Sequence, residues 1–146
     1  MIAVQLASLP DLSHMVAFGA SAFAASNYSE LGYNAVIARR TLKNAMSDNS
    51  MRVFVAKRNG QVCGVLIGSI DPMPFCGGLS ATDLVFIAYA GGDLLLDAFL
   101  DWCKVRRVTR IDCGVSQADD KRVERLFRRK GFTRAGGLFY KQRKVA

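Results

Sequence analysis

The stretch that decides the fold is Thr82-Asp83-Leu84-Val85-Phe86-Ile87-Ala88-Tyr89-Ala90-Gly91-Gly92-Asp93, which leads into the run Leu94 to Lys104. Thr82–Ala88 is apolar apart from Asp83, the pattern of a strand covered on both faces. From Asp93 to Lys104, Leu95, Leu96, Phe99 and Cys103 are spaced for one face of a helix. Gly91-Gly92, between strand and helix, lets backbone N–H groups approach a ligand closely. The helix N-terminus adds partial positive charge, so the unit suits an anion such as a pyrophosphate.

Working outward, Ile111–Val115 reads as a second buried strand, and Asp119 to Lys130 as an amphipathic helix with Val123, Leu126 and Phe127 inward. Gly131 ends that helix as a glycine cap. Phe132–Ala135 and Leu138–Arg143 read as short strands around Gly136-Gly137. Towards the N-terminus, Met51–Lys57 and Gln61–Ser69 flank Arg58-Asn59-Gly60, whose Asn-Gly pair favours the positive φ angles of a hairpin. The loop Asp71 to Gly78, with two prolines and two adjacent glycines, breaks the next connection. Before the hairpin come a short strand, Ile2–Leu6, a helix from Pro10 to Ala24, and a helix from Asn34 to Met46. The last has Asn34 as N-cap and Val36, Ile37 and Leu42 inward. The order β-α-α-β-β-β-α-β-α-β-β, without repeat or linker, gives one mixed α/β (α+β) layer domain over residues 1–146.

The chain has 146 residues, a size suited to one core. Its charge is uneven: residues 104–146 carry 14 basic and four acidic side chains, and residues 1–103 six and eight. A +10 segment on a −2 body reads first as a surface for phosphate, on a nucleotide or on nucleic acid. No apolar run approaches the roughly 20 residues of a membrane span. The start, MIAVQLASLPDLSHM, lacks the positive segment of a secretory signal, which predicts a cytoplasmic protein. Cys63, Cys76, Cys103 and Cys113 form no C-x-x-C pair, so neither a metal site nor a disulfide framework is expected. His14, alone of its type, has no partner pattern for a catalytic triad.

From Asp83 to Tyr140 the chain resembles the GNAT superfamily of acetyl-coenzyme-A-dependent N-acetyltransferases. The resemblance rests on the apolar strand, glycine turn and helix ending near Trp102-Cys103, then Ile111-Asp112-Cys113-Gly114-Val115, then Leu126-Phe127-Arg128-Arg129-Lys130-Gly131-Phe132. The last stretch is similar to the family's Leu-Tyr-x-x-x-Gly-Phe ending. With Ser26-Asn27-Tyr28 after the first helix and Gly136-Gly137-Leu138-Phe139-Tyr140 near the end, the compact form is similar to small acetyltransferases often encoded by bacteriophages and prophages. The resemblance implies a GNAT fold: a central mixed sheet of six to seven strands, four helices, and fourth and fifth strands that splay to admit pantetheine. It implies acetyl-CoA as the acyl donor and a primary amine, on a small molecule or a protein, as the acceptor. Relatives are commonly homodimers.

Residue by residue, the resemblance makes Asp83 the general base. The strand amides of Phe86, Ile87 and Ala88 would hold pantetheine and polarise the acetyl carbonyl. Gly91 and Gly92 would meet the pyrophosphate, and Arg122, Arg125 and Arg129 the nucleotide phosphates. Tyr28, Glu30 and Tyr33 fall where relatives place acceptor-recognition loops. Three positions depart from the family. The glycine loop is short, lacks Arg or Gln, and sets Asp93 beside the expected phosphate. Phe127 stands where a Tyr often protonates the leaving thiolate, which leaves Tyr89, Tyr140 or water for that proton. Asp120 stands for the family's Asn. A second reading follows from these departures and the +10 segment: a GNAT scaffold that has stopped catalysing and binds a protein or nucleic acid. Against nucleic acid, only Phe139 and Tyr140 near the basic helix offer stacking faces.

Overall fold

The computed structural model describes residues 1–115 and 121–144. Its elements are β1 (Ile2–Leu6), a 3-10 turn (Leu9–Asp11), α1 (Leu12–Ala24), a second 3-10 turn (Ser29–Leu31), α2 (Ala35–Ser47), β2 (Met51–Arg58), β3 (Gln61–Pro72), β4 (Leu79–Ala88), α3 (Gly92–Val105), β5 (Arg110–Asp112) and α4 (Lys121–Arg129). The sheet order is β1-β2-β3-β4-β5. The first four strands pair antiparallel and β5 joins β4 in parallel. Among the described residues this is the expected mixed α/β arrangement with four α-helices, but the sheet has five strands where six to seven were expected.

Each face of the sheet carries its own core. Leu95, Leu96 and Phe99 of α3 and Leu126 and Phe127 of α4 pack with Phe54, Leu66 and Ala81 on one face. Leu12 and Met15 of α1 and Leu42 and Ala45 of α2 pack with Val53, Val55, Val65 and Ile67 on the other. The alternation of β2 and β3 thus supplies both layers.

Local signals behave as their chemistry dictates. Asn59 and Gly60 have φ of 51° and 78°, and Arg58 pairs with Gln61 across them. The Asn34 side chain accepts the Ile37 N–H at 3.0 Å, capping α2. Gly131 has φ of 87°, and Phe132 N–H reaches back to Phe127 C=O at 3.0 Å, a Schellman close to α4.

Four expectations need correction. Val36, 76% exposed, and Ile37 do not face inward. The covered stripe of α2 is Ala38, Leu42, Ala45 and Met46, and the first turn, from Ala35 to Ile37, is exposed. β4 is not covered on both faces: Ala81 is buried, but Leu84 is exposed and the residues after it are half-buried, because β5 does not follow β4 that far. The β5 strand has three residues rather than Ile111–Val115. Phe132–Ala135 and Leu138–Arg143 form no strands. A ladder needs a templating edge, three residues offer a short one, and Gly136-Gly137 raises the entropy of ordering the pair. Phe132 packs on Phe127 with ring centroids 5.3 Å apart, whereas Phe139 is 96% exposed. Asp119 and Asp120, the expected start of the last helix, lie outside the described residues.

Candidate active site

The site begins where β4 and β5 part. Their parallel pairing runs Ser80 with Arg110, Ala81 with Ile111 and Thr82 with Asp112, and goes no further. Just beyond, the register with β3 slips: Gly68 faces Asp83 and Ile67 faces Val85, leaving Leu84 as the extra residue of a β-bulge. Glycine is required at 68, since a Cβ there would lie 2.5 Å from the Phe99 ring. A bulge bends its strand, and here it falls just past the point where the pairing of β4 with β5 stops.

Past the bulge the backbone of β4 faces two ways. The Tyr89 N–H bonds to Cys63 C=O at 2.9 Å on the β3 side. Amides alternate along a strand, so the Ile87 N–H also points to β3, where Ile87 faces Val65. Phe86 and Ala88 therefore turn their N–H and C=O groups to the side that β5 has vacated. Of the three amides expected to meet a ligand, two face the opening and that of Ile87 does not.

At the end of β4 a cleft of about 220 Å³ lies between the glycine turn and α4. Phe86, Ala88, Tyr89, Gly91, Gly92 and Asp93 line it from one side, and Arg122, Val123, Leu126 and Arg129 from the other. Gly91 has φ of 78°, and its C=O accepts the Leu95 N–H at 2.9 Å, which starts α3. A Cβ on Gly91 would come within 2.8 Å of Ile2 Cγ2, so both conformation and space demand glycine. The first amides of α3 have no partner within the helix and face an anion-sized space. Arg122 and Arg129 lie two helical turns apart on one face of α4 and bring two positive charges to it. Asp93 opposes them. Arg125 is exposed and does not line the cleft.

Asp83 sits at the apex of the split, half-buried, and its Oδ1 accepts the Gly114 N–H at 3.1 Å. Burial pushes its carboxyl up to about 7, although the Gly114 amide pulls the other way. The same pocket of low polarity pushes the Cys113 thiol far up, with the Asp83 charge adding to the effect, and burial pushes Cys103 up to about 11. Both sulfurs are therefore thiols at neutral pH and not nucleophiles. Ala88 is five positions on from Asp83, about 16 Å along a strand, so Asp83 lies deep in the opening and the glycine turn at its mouth.

Tyr89 is 59% exposed at that mouth, edge-on to Phe18 of α1 with centroids 5.1 Å apart. The six steps from Asp83 to Tyr89 span about 20 Å, too far for both side chains to touch one reacting centre. Tyr140 is exposed on the segment after α4 and does not line the cleft. Phe127 is buried between Phe86 and Phe132. Tyr28 and Glu30 are exposed at the second 3-10 turn, while the Tyr33 hydroxyl donates to Val16 C=O at 2.7 Å. The sequence reading passed over Phe18, Gly114 and the bulge at Leu84. The glycine at 68 opposite an acidic strand residue is the signal that marks the last. Among the described residues, no group of three or more His, Cys, Asp or Glu side chains is placed to share a metal ion, and no helix is long and apolar enough to cross a membrane.

The fold as a whole is similar to that of solved structures. An acetyltransferase of the GNAT family from Streptococcus pneumoniae superposes with a TM-score of 0.75 at 18% identity, covering 99% of this chain and 94% of that one. The chain has the GNAT fold. A predicted acetyltransferase from Clostridium acetobutylicum, solved with acetyl-CoA, gives 0.72 at 15% identity over 97% and 96% of the two chains. A transcriptional regulator from Bacillus halodurans C-125 gives 0.77 at 19% identity over 97% and 99%. No protein-family model and no curated protein sequence matches the chain. Neighbours with such different descriptions leave the residues of the site to carry the functional argument.

Proposed function

We propose that this chain is an acetyl-CoA-dependent N-acetyltransferase acting on a primary amine. The observation that carries the reading is the split itself: Phe86 and Ala88 turn towards it backbone groups that neither β3 nor the β5 ladder pairs, between a glycine turn at the mouth and a carboxylate at the apex. The residues present fit the donor. The pyrophosphate would lie against the α3 N-terminus, with Arg122 and Arg129 supplying the countercharge that the short loop lacks. The pantetheine arm, an amide-bearing chain, would add to the open side of β4 through Phe86 and Ala88.

The thioester supplies an activated acyl group. Asp83, at the apex, takes a proton from the ammonium of the acceptor, and a carboxyl with a pKa of about 7 is matched to that task near neutral pH. The freed amine forms a C–N bond to the carbonyl carbon and sheds its extra proton to water as the amide forms, the C–S bond breaks, and the sulfur leaves as a thiol after taking a proton. Water is the donor for that proton, because Tyr89 lies at the mouth and Tyr140 outside the cleft. The test is thiol release from acetyl-CoA in the presence of a primary amine. The expected rate rises with pH through about 7, and Asp83→Asn lowers it by roughly 10²-fold or more. An unchanged rate in Asp83→Asn removes Asp83 from the role of base.

A further inference from the structure

The single tryptophan of the chain carries two arginines over its ring. Trp102, on α3, is 5% exposed and packs on Phe54 and Phe99. Its ring fills the place that Gly68 leaves open on β3, where a Cβ would lie 3.1 Å from the indole Cζ3. Arg52 pairs with Gly68 across the ladder of β2 and β3, and its guanidinium carbon stands 5.6 Å from the Trp102 ring centroid. Arg106, one helical turn beyond Trp102, brings its own to 6.0 Å. Arg106 Nη1 also donates to Asn49 C=O at 3.0 Å, three residues before Arg52, so both cations gather where β2 begins. Through Gly68, Arg52 is level with Asp83, and the end of β4 lies five positions on. The group therefore stands about 16 Å along the strands from the glycine turn, apart from the cleft there.

Three groups here lack the same kind of partner. The indole Nε1–H is buried and, among the described residues, has no acceptor, which costs free energy unless a ligand supplies one. Both guanidiniums are exposed, and among the described residues neither makes an ion pair. Stacking on the ring favours each cation singly, but two like charges over one indole still repel. The carboxylates nearest in sequence are otherwise placed. Asp48 accepts the Ser50 amide and hydroxyl at 2.8 Å and 2.7 Å, and Asp101, adjacent to Trp102, lies about 100° round α3 from it. An oxyanion accepts from the planar fork of each arginine and from an indole N–H, and its charge removes the repulsion. The tetrahedral oxygens and double charge of a phosphate meet two forks and a third donor, where a carboxylate has two oxygens to offer.

We propose that Arg52, Arg106 and the Trp102 Nε1–H form a second binding site, for a phosphate group that is either free or a monoester on another molecule. Because Trp102 is the only tryptophan, its fluorescence reports on this site directly. The experiment titrates the whole chain with inorganic phosphate, with O-phosphoserine, and with sodium chloride at matched ionic strength, following indole emission at neutral pH. The expected response to phosphate saturates with a midpoint below about 10 mM, and chloride gives none. Arg52→Gln and Arg106→Gln, both at exposed positions, should each move the midpoint up by about 10-fold, with cooperative denaturant unfolding showing that each variant folds. Replacing Arg122 and Arg129 together by alanine should leave the response in place, since those side chains line the distant cleft. A lower midpoint for O-phosphoserine supports the site and assigns it to a phosphomonoester, and a lower one for inorganic phosphate supports it and assigns the free ion. No saturable response, the same response to chloride, or one that survives both Arg52→Gln and Arg106→Gln overturns the site. A response lost with Arg122 and Arg129 overturns it too, by placing the phosphate in the cleft.

Discussion

Gly114 and Asp83 are joined by a hydrogen bond of 3.1 Å from the Gly114 amide to the Asp83 carboxylate, across the point where β4 and β5 separate. That bond links Asp83 to the β5 side, and it stabilises the ionised form. Burial works against it more strongly, and the balance leaves the carboxyl protonating at about 7. Such a group reports on itself through stability as well as catalysis.

An unfolded aspartate loses its proton near pH 4, whereas the folded Asp83 keeps it up to about 7. Between those values the folded state binds more protons than the unfolded one, so stability should fall as pH rises and level off above about 7. Asp83→Asn removes this slope. Denaturant midpoints of the two proteins at about pH 5 and about pH 8 are the check: the variant should gain on the parent at the higher pH, because the parent then buries a charge. A constant difference at both pH values would mean that Asp83 titrates normally.

Asp11 is a buried carboxylate of the opposite kind. Burial raises its pKa, but the Lys57 ammonium and the Ser8 hydrogen bonds outweigh it and hold the carboxyl below its ordinary range. The pair ties the start of α1 to β2. Lys57→Met leaves the carboxylate buried without a countercharge, held by the Ser8 hydrogen bonds alone, and should cost about 3 kcal/mol at neutral pH. The loss should shrink as pH falls through the Asp11 pKa and the charge disappears. Thermal unfolding of the variant at neutral and acid pH measures both.

In the cleft, Asp93 stands against Arg122 and Arg129. If phosphates lie there, Arg122→Ala and Arg129→Ala should each weaken acetyl-CoA binding by about 10-fold, the scale of one charge-assisted contact. Asp93→Asn should tighten it by several-fold, with the gain diminishing in high salt as screening removes the repulsion. Calorimetry at two ionic strengths decides this, and tighter binding without Arg129 would place the phosphates elsewhere.

The tolerance of two glycines separates core geometry from loop chemistry. Gly68→Ala puts a Cβ against the Phe99 ring at 2.5 Å and 2.7 Å from two ring carbons, whereas nothing lies within 4 Å of a Cβ on Gly77. The first substitution should cost about 1–3 kcal/mol in a chemical denaturation series, as overpacking does. The second should be near neutral.

The strand, glycine turn and helix from Thr82 to Lys104 were legible because buried periodicity and paired glycines are local signals. So were the Asn59-Gly60 hairpin and the Asn34 cap. Long-range facts were not. Whether Leu138–Arg143 joins a sheet depends on the length of β5, which no residue within that segment encodes. Val36 and Ile37 have the apolar pattern of buried residues, and their exposure follows from where the sheet ends. In the site, Asp83, Gly91, Gly92, Arg122 and Arg129 are singled out by residue type and position. The parity that turns Phe86 and Ala88 to the opening, and Ile87 away, depends on the one-residue bulge at Leu84 and on pairing with β3.

The most direct measurement is a calorimetric titration of the whole chain with acetyl-CoA. The account predicts one molecule bound per chain with a dissociation constant below about 1 mM, weakened when Arg122 and Arg129 are both replaced by alanine. No heat of binding at millimolar acetyl-CoA, from a chain that unfolds cooperatively, would contradict it.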